Sequence, residues 1–249
     1  MELAWTPHKC LLELIQGPVS NPTSTEWKHA WTVSALATEI RVPKLRDLLR
    51  EFLFNQLYAT THALHHAHIA AYPCYEGYIS VLNSASARFY APSDLSGVGG
   101  MQTKSIRSTP LWRKGAACHD CIFIGTSPDP LETGMQTYTV MLHMYSHFSH
   151  LYSRAHTYFL CTVILWFDKV GGGPDKNTGM WVVCPASLAS HAQKLAVIHI
   201  DTIHHAAHLI PVYGSHLISC NIQPHQSYDT FCTLHVNKFT DHHAFEIAT

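Results

Sequence analysis

The stretch with the densest chemical potential is HIDTIHHAAH, positions 199–208. His199, Asp201, His204 and His208 are all residue types that ligate zinc and related metals. Two histidines four apart fall on one face of a helix and can share an ion. Asp201 is placed to ligate or to orient an imidazole. Such a set would serve a metal-dependent hydrolase. It is not H-E-x-x-H, because Thr, Ile and Ala fill the gaps and no glutamate stands between the histidines as general base. The plainer expectation is a short turn after a strand, with His208 packed at its edge.

Two further groups invite the same question. Cys118-His119-Asp120-Cys121 has the C-x-x-C spacing of zinc and redox sites, but no second ligand pair follows at the usual distance. The motif runs straight into Ile122-Phe123-Ile124, so one cysteine is expected to point into a sheet core. Thr61–His68 (THALHHAH) carries four histidines, of which His65 and His68 could share a helix face. A polar linker is the plainer reading.

For nucleic acid the candidate is a basic cluster with an aromatic inside it: Lys104, Arg107, Trp112, Arg113 and Lys114. Arginine and lysine would meet phosphates while the indole stacks on a base. Solvated surface is the plainer alternative. Gly97, Gly99 and Gly100 complete neither a dinucleotide fingerprint nor a P-loop. No catalytic set is assigned, and no cofactor is expected.

These residues need elements to position them. Tyr158–Phe167, rich in β-branched and aromatic residues, stops at Gly171-Gly172-Gly173-Pro174 and is followed by Met180–Val183, which predicts a hairpin with a long tip. Ala196–Ile200 and Leu209–Val212 add strands, as do Tyr78–Tyr90 and Thr137–Met144, the latter extended or looping through Tyr152. Ala91–Gly115 has no regular period and reads as a loop. Leu45, Leu48, Leu49, Phe52 and Leu53 recur at helical spacing after Pro43, which predicts an amphipathic helix of about four turns. Asp241 is placed to cap a last short helix, His242–Ala248. The expected fold is α+β: a small, mainly antiparallel β-barrel or bent sheet with an N-terminal amphipathic helix and a short C-terminal helix. Three parts follow in order. They are a poorly patterned segment (1–32), a helical segment with its histidine-rich linker (33–72), and a β-rich domain ending in the helix (73–249).

Composition narrows the function classes. The 249 residues can bury a sizeable core. Charged residues make up 13% and formal net charge is −1, which argues against a broad basic field. The 21 histidines outnumber the 16 lysines and arginines, so the chain becomes strongly cationic below about pH 6. The eight cysteines lack disulfide-framework spacing, and Met1–Gly17 has no basic start, with Glu13 breaking its apolar run. Reduced thiols in an intracellular protein are expected. Tyr158–Phe167 is too short to span a bilayer, which takes about 20 helical residues, so no membrane partner is expected.

Several segments also share an order. Ala91–Trp112 (APSDLSGVGGMQTKSIRSTPLW), Asp120–Ile124, Asp175–Val183 (DKNTGMWVV), Val197–Gly214 and Val236–Ala248 together resemble the C-terminal region of transposon-encoded proteins of the Plavaka type. That group is a branch of the CACTA-like elements of mushroom-forming fungi. The resemblance spans Ala35 to Ala248. It implies a piece detached from the transposase catalytic core: a non-catalytic accessory domain contacting DNA, chromatin or a transposase, nuclear in location, or a decayed relic without selected function. The chain departs from the pattern at Gln102, Thr103 and Ser105, at Cys118-His119, and at His204-His205, where arginine is common in that family. Arginine giving way to His, Cys or Gln is the trace that C-to-T decay leaves in CG-rich codons. A codon comparison showing no excess of such transitions would remove that explanation.

Overall fold

The computed structural model describes residues 11–13, 32–58, 72–77, 79–82, 84–90, 101–109, 115–125, 138–152, 155–190, 192–215 and 217–248. In chain order the elements are β1 (Leu11–Glu13), α1 (Val33–Glu39), α2 (Leu45–Tyr58), β2 (Ile79–Leu82), β3 (Ser84–Tyr90), β4 (Met101–Thr109), β5 (Cys118–His119) and β6 (Cys121–Ile124). There follow β7 (Tyr138–Tyr152), β8 (Ala155–Lys169), β9 (Val182–Pro185), β10 (Leu195–His199), β11 (Ile203–Ala207), β12 (Leu209–Pro211), α3 (Ser227–Thr230), β13 (Leu234–Val236) and α4 (His242–Ile247). Thr61–His68, Gly97–Gly100, Trp112, Arg113 and Lys114 lie outside the described residues.

The spine is the β7–β8 hairpin. Its strands have 15 residues each, about 50 Å of extended chain. They pair from Tyr152↔Ala155 outward, and a bulge between Leu142 and Met144 shifts the register halfway along. Each outer edge then carries two neighbours. Along β7 lie β6 at the Tyr138–Met141 end and β2 at Tyr145–Phe148. Along β8 lie β10 at Cys161–Leu165 and β9 at Phe167–Lys169. Strand β11 extends the sheet beyond β6, while β13 and then β12 extend it beyond β9. A four-stranded sheet in the order β1-β3-β4-β5 makes the second layer. All these pairings are antiparallel.

The α+β class is observed, but not the barrel. Among the described strands the nine-stranded sheet is open, with β11 at one end and β12 at the other. The physical reason lies in coverage. Both faces of the sheet are already packed by other elements, and β12 is a three-residue strand ending in Pro211, which has no N–H to offer a further strand.

Strand alternation decides which face is which. On β8, Phe159, Cys161 and Val163 pack with Leu36 of α1 and with Leu45, Leu49, Phe52 and Leu53 of α2. Leu165 and Phe167 continue that face into a cluster with Phe123, Val183, Leu209, Leu234, Val236 and Ala244. Ile164, on the opposite face, joins Ala85, Ala87 and Ile106 of the second sheet together with Ile122, Ile124, Ile200 and Ile203. The expected β8–β9 hairpin, the four-turn α2 and the last helix are all observed.

One expectation is corrected. Met101–Thr109, read as loop, is strand β4, paired with β3 from Tyr90↔Met101 to Ser84↔Arg107. Its outward positions include the exposed Met101 besides small and polar residues, and only Ile106 is a large apolar residue facing the core, so it has no apolar alternation to betray it. Within the poorly patterned region 1–32, Leu11–Glu13 forms β1, which pairs with β3.

The end of α1 shapes the corner before α2. Val42 N–H bonds to Ala37 O at 2.9 Å and Arg41 N–H to Thr38 O at 3.3 Å, the paired bonds of a Schellman ending. Buried Val42 supplies the accompanying apolar contact with Leu36. Arg41 takes the left-handed conformation there (φ 57°), at a cost of about 1–2 kcal/mol that glycine avoids.

Candidate functional site

Strand β4 separates the two described members of the basic cluster. Lys104 shares a face with Ile106, which is fully buried, while Arg107 lies one residue out of phase on the other face. Lys104 Nζ makes an ion pair with Asp241 Oδ2. Asp241 is also the N-cap of α4, its Oδ1 accepting the Ala244 N–H at 2.8 Å. The same Oδ2 stands 3.7 Å from Nε2 of His205, which has no solvent exposure. Burial pushes the Asp241 carboxyl up, but Lys104, the Ala244 N–H and His205 outweigh it and hold it below its usual value. Lys104 is thus committed within the chain. Arg107 donates its backbone N–H to Asp120 Oδ2 at 2.8 Å, and its guanidinium stands beside the Cys118 thiol.

The C-x-x-C cysteines divide as expected. Cys121 is buried in the third core cluster, where burial drives its thiol up to about 12, and Tyr228 hydrogen-bonds to it. Cys118 is half-buried, its thiol also raised by burial and by Asp120. Every cysteine among the described residues is a free thiol.

The histidine set is laid out along β10, one turn of 3₁₀-helix at Ile200–Thr202, and β11, with His208 between β11 and β12. The expected short turn after a strand is there, but His204 lies on a strand, so the helical face proposed for His204 and His208 does not exist. Four strand residues span about 13 Å. His199 Nδ1 accepts the Asp201 N–H at 3.2 Å and lies 3.5 Å from its Oδ2. His208 Nδ1 pairs with Asn237 Nδ2 at 3.1 Å. His204 is the extra residue of a bulge, since Ile203 faces Ile124 and His205 faces Phe123. The bulge lets Ile203 and Ala206 both reach the Ile122–Ile124 core, which plain alternation forbids. Burial lowers the pKa of both His204 and His205. Among the described residues no three His, Cys, Asp or Glu side chains are grouped to hold a metal. No described helix is long and apolar enough to cross a membrane.

No protein-family model, curated protein or solved structure matches this chain.

A different surface gathers cations over rings. Lys238 Nζ lies 5.6 Å from the ring centre of Phe239 and 5.1 Å from that of Phe245, and these two rings stand 6.0 Å apart. Phe239 is 62% exposed and Phe245 41%, unusual for phenylalanine. Lys169 Nζ sits 4.3 Å over Trp181. The two pairs adjoin, because Val236 N–H bonds to Trp181 O at 2.8 Å and a Cβ on Gly179 would lie 3.7 Å from Lys238 Nζ. Close by, the Asp175 carboxylate is occupied by the Thr178 N–H and hydroxyl and the Asn177 N–H, which lower its pKa. Lys194 over Trp166, at 5.5 Å, repeats the motif on β8. Trp166 and Trp181 stand within the predicted strands Tyr158–Phe167 and Met180–Val183, but the lysines over them come from other segments and no spacing connects them.

Proposed function

We propose that the chain is a non-catalytic accessory module of a transposon-derived protein, contacting DNA through the surface of Lys169, Trp181, Lys238, Phe239 and Phe245. The supporting observation is Lys238 lying over two exposed phenylalanine rings. Aromatic faces stack on unpaired bases without regard to sequence, while ammonium groups meet the phosphates between them. The surface therefore suits a single-stranded stretch. This shifts the interface from Lys104, whose charge is spent on Asp241, to the end of the chain. A nuclear location and a transposase or chromatin context follow from the same reading.

Anisotropy of a labelled single-stranded oligonucleotide tests it, after a thermal scan has shown cooperative unfolding. Each Phe→Ala change at 239 and 245 should weaken binding by about 1–3 kcal/mol, the usual contribution of one stacked base. Lys238→Ala should flatten the dependence of log affinity on log salt by about 0.7, one phosphate's share for a single strand. Wild-type affinity for both variants, or no binding at low salt, would refute the interface. A chain that never unfolds cooperatively would be a decayed relic.

A further inference from the structure

The corner between α1 and α2 holds a strained arginine where glycine fits freely. Arg41 is the one non-glycine residue with positive φ among those described. A cleft of about 500 Å³ lies against it, lined by Ala37 and Pro43, by Ser34 and Thr38, and by both Arg41 and Arg46. That volume is within the range of small-ligand sites. Among the described lining residues two are arginines and none is an Asp or Glu. Arg46 does have neighbours outside the cleft: its Nη2 lies 3.3 Å from Cys74 Sγ and 3.7 Å from Glu76 Oε1. Both sides of that ion pair are exposed to water, and one oxygen leaves most of the five guanidinium N–H donors for another acceptor.

The geometry points to a binding site in this cleft for a small phosphate monoester. Planar guanidinium groups bind phosphate oxygens in pairs, which an ammonium cannot reproduce. Ala37 and Pro43 supply apolar contact for a compact organic group beside the phosphate. The strain at Arg41 then has a return: the left-handed residue places a cation where glycine would place nothing. The site shares no residue with the surface around Lys238, so it stands or falls independently of the DNA reading.

Phenyl phosphate is a suitable probe, with phenol as its uncharged counterpart. Thermal scans of the full chain should show a melting temperature that rises with phenyl phosphate concentration and is unmoved by phenol. Arg46→Ala should abolish that rise. Arg41→Gly is the deciding variant, because it removes the guanidinium while relieving the left-handed strain. It should melt no lower than wild type without ligand and show no rise with phenyl phosphate. A rise that survives in Arg41→Gly, an equal rise with phenol, or no rise in wild type would each overturn the site.

Discussion

Lys104 and Asp241, 137 residues apart in sequence, form an ion pair that ties β4 to the first turn of α4. One oxygen of Asp241 caps the helix while the other faces Lys104 and buried His205. The carboxylate therefore has two separable roles. Asp241→Ala removes both, and should lower stability by about 2 kcal/mol, of which a lost cap typically accounts for about 1. Asp241→Asn keeps a good cap and loses only the charge. With Lys104 about one-third exposed, water screens that contact, so Asn should cost about 1 kcal/mol or less. Urea midpoints of the two variants measure the split, and equal losses would show that capping contributes nothing.

The histidines set the response to acid. Burial depresses His205, with Asp241 and the Ala206 carbonyl pulling upward and Lys104 adding to the depression; burial alone depresses His204. A depressed histidine binds its proton later in the folded than in the unfolded chain. Its contribution is complete above the unfolded value, about 6.5, and is lost as pH falls below that toward the folded value. Asp241, also depressed, adds a second loss only below about 3.8. Urea midpoints should hold above pH 7 and decline as pH falls below about 6.5. His205→Leu should make that decline shallower. An unchanged slope would mean that His205 titrates alike in both states.

Gly125 and His204 should be coupled. A Cβ on Gly125 would stand 2.2 Å from His204 Nε2, so Gly125→Ala must displace the imidazole from the bulge. The expected cost is about 1–3 kcal/mol, as for other overpacked sites. In the double variant with His204→Ala the clash disappears and most of that loss should return. Strict additivity in the double-mutant cycle would show that the two do not meet.

How much of this was legible in the chain differs from element to element. Phe159, Cys161, Val163, Leu165 and Phe167 alternate inward along β8, and Asp241 stands one residue before its helix, so local pattern sufficed for both. Strand β4 escaped because Gln102, Thr103, Lys104 and Ser105 have no apolar rhythm, and its place is decided by pairing with β3. His204 and His208 mimic a helical pair, yet the chain there is a bulged strand, since Ile203 and Ala206 both bury against Ile122 and Ile124. Between the two expected forms, barrel or bent sheet, the chain could not decide, because closure depends on which edges meet and no single strand encodes that. Lys238 over Phe239 and Phe245, beside Trp181 and Lys169, joins segments far apart in sequence.

The forked edges of the β7–β8 hairpin bear on how the protein emerges from a ribosome. Strands β2 and β6 are made before the hairpin but dock against β7, so the edges that pair with β7 wait through at least 14 residues, from Ile124 to Tyr138, before a partner exists. Unpaired apolar strands such as Cys121–Ile124 are where nascent chains stick to one another. Synthesis beyond Lys169 reverses the situation, because β9 and β10 then find a finished template and each can add as it appears. Chains halted before Tyr138 are thus the species most in need of a chaperone, and those halted after Lys169 the least.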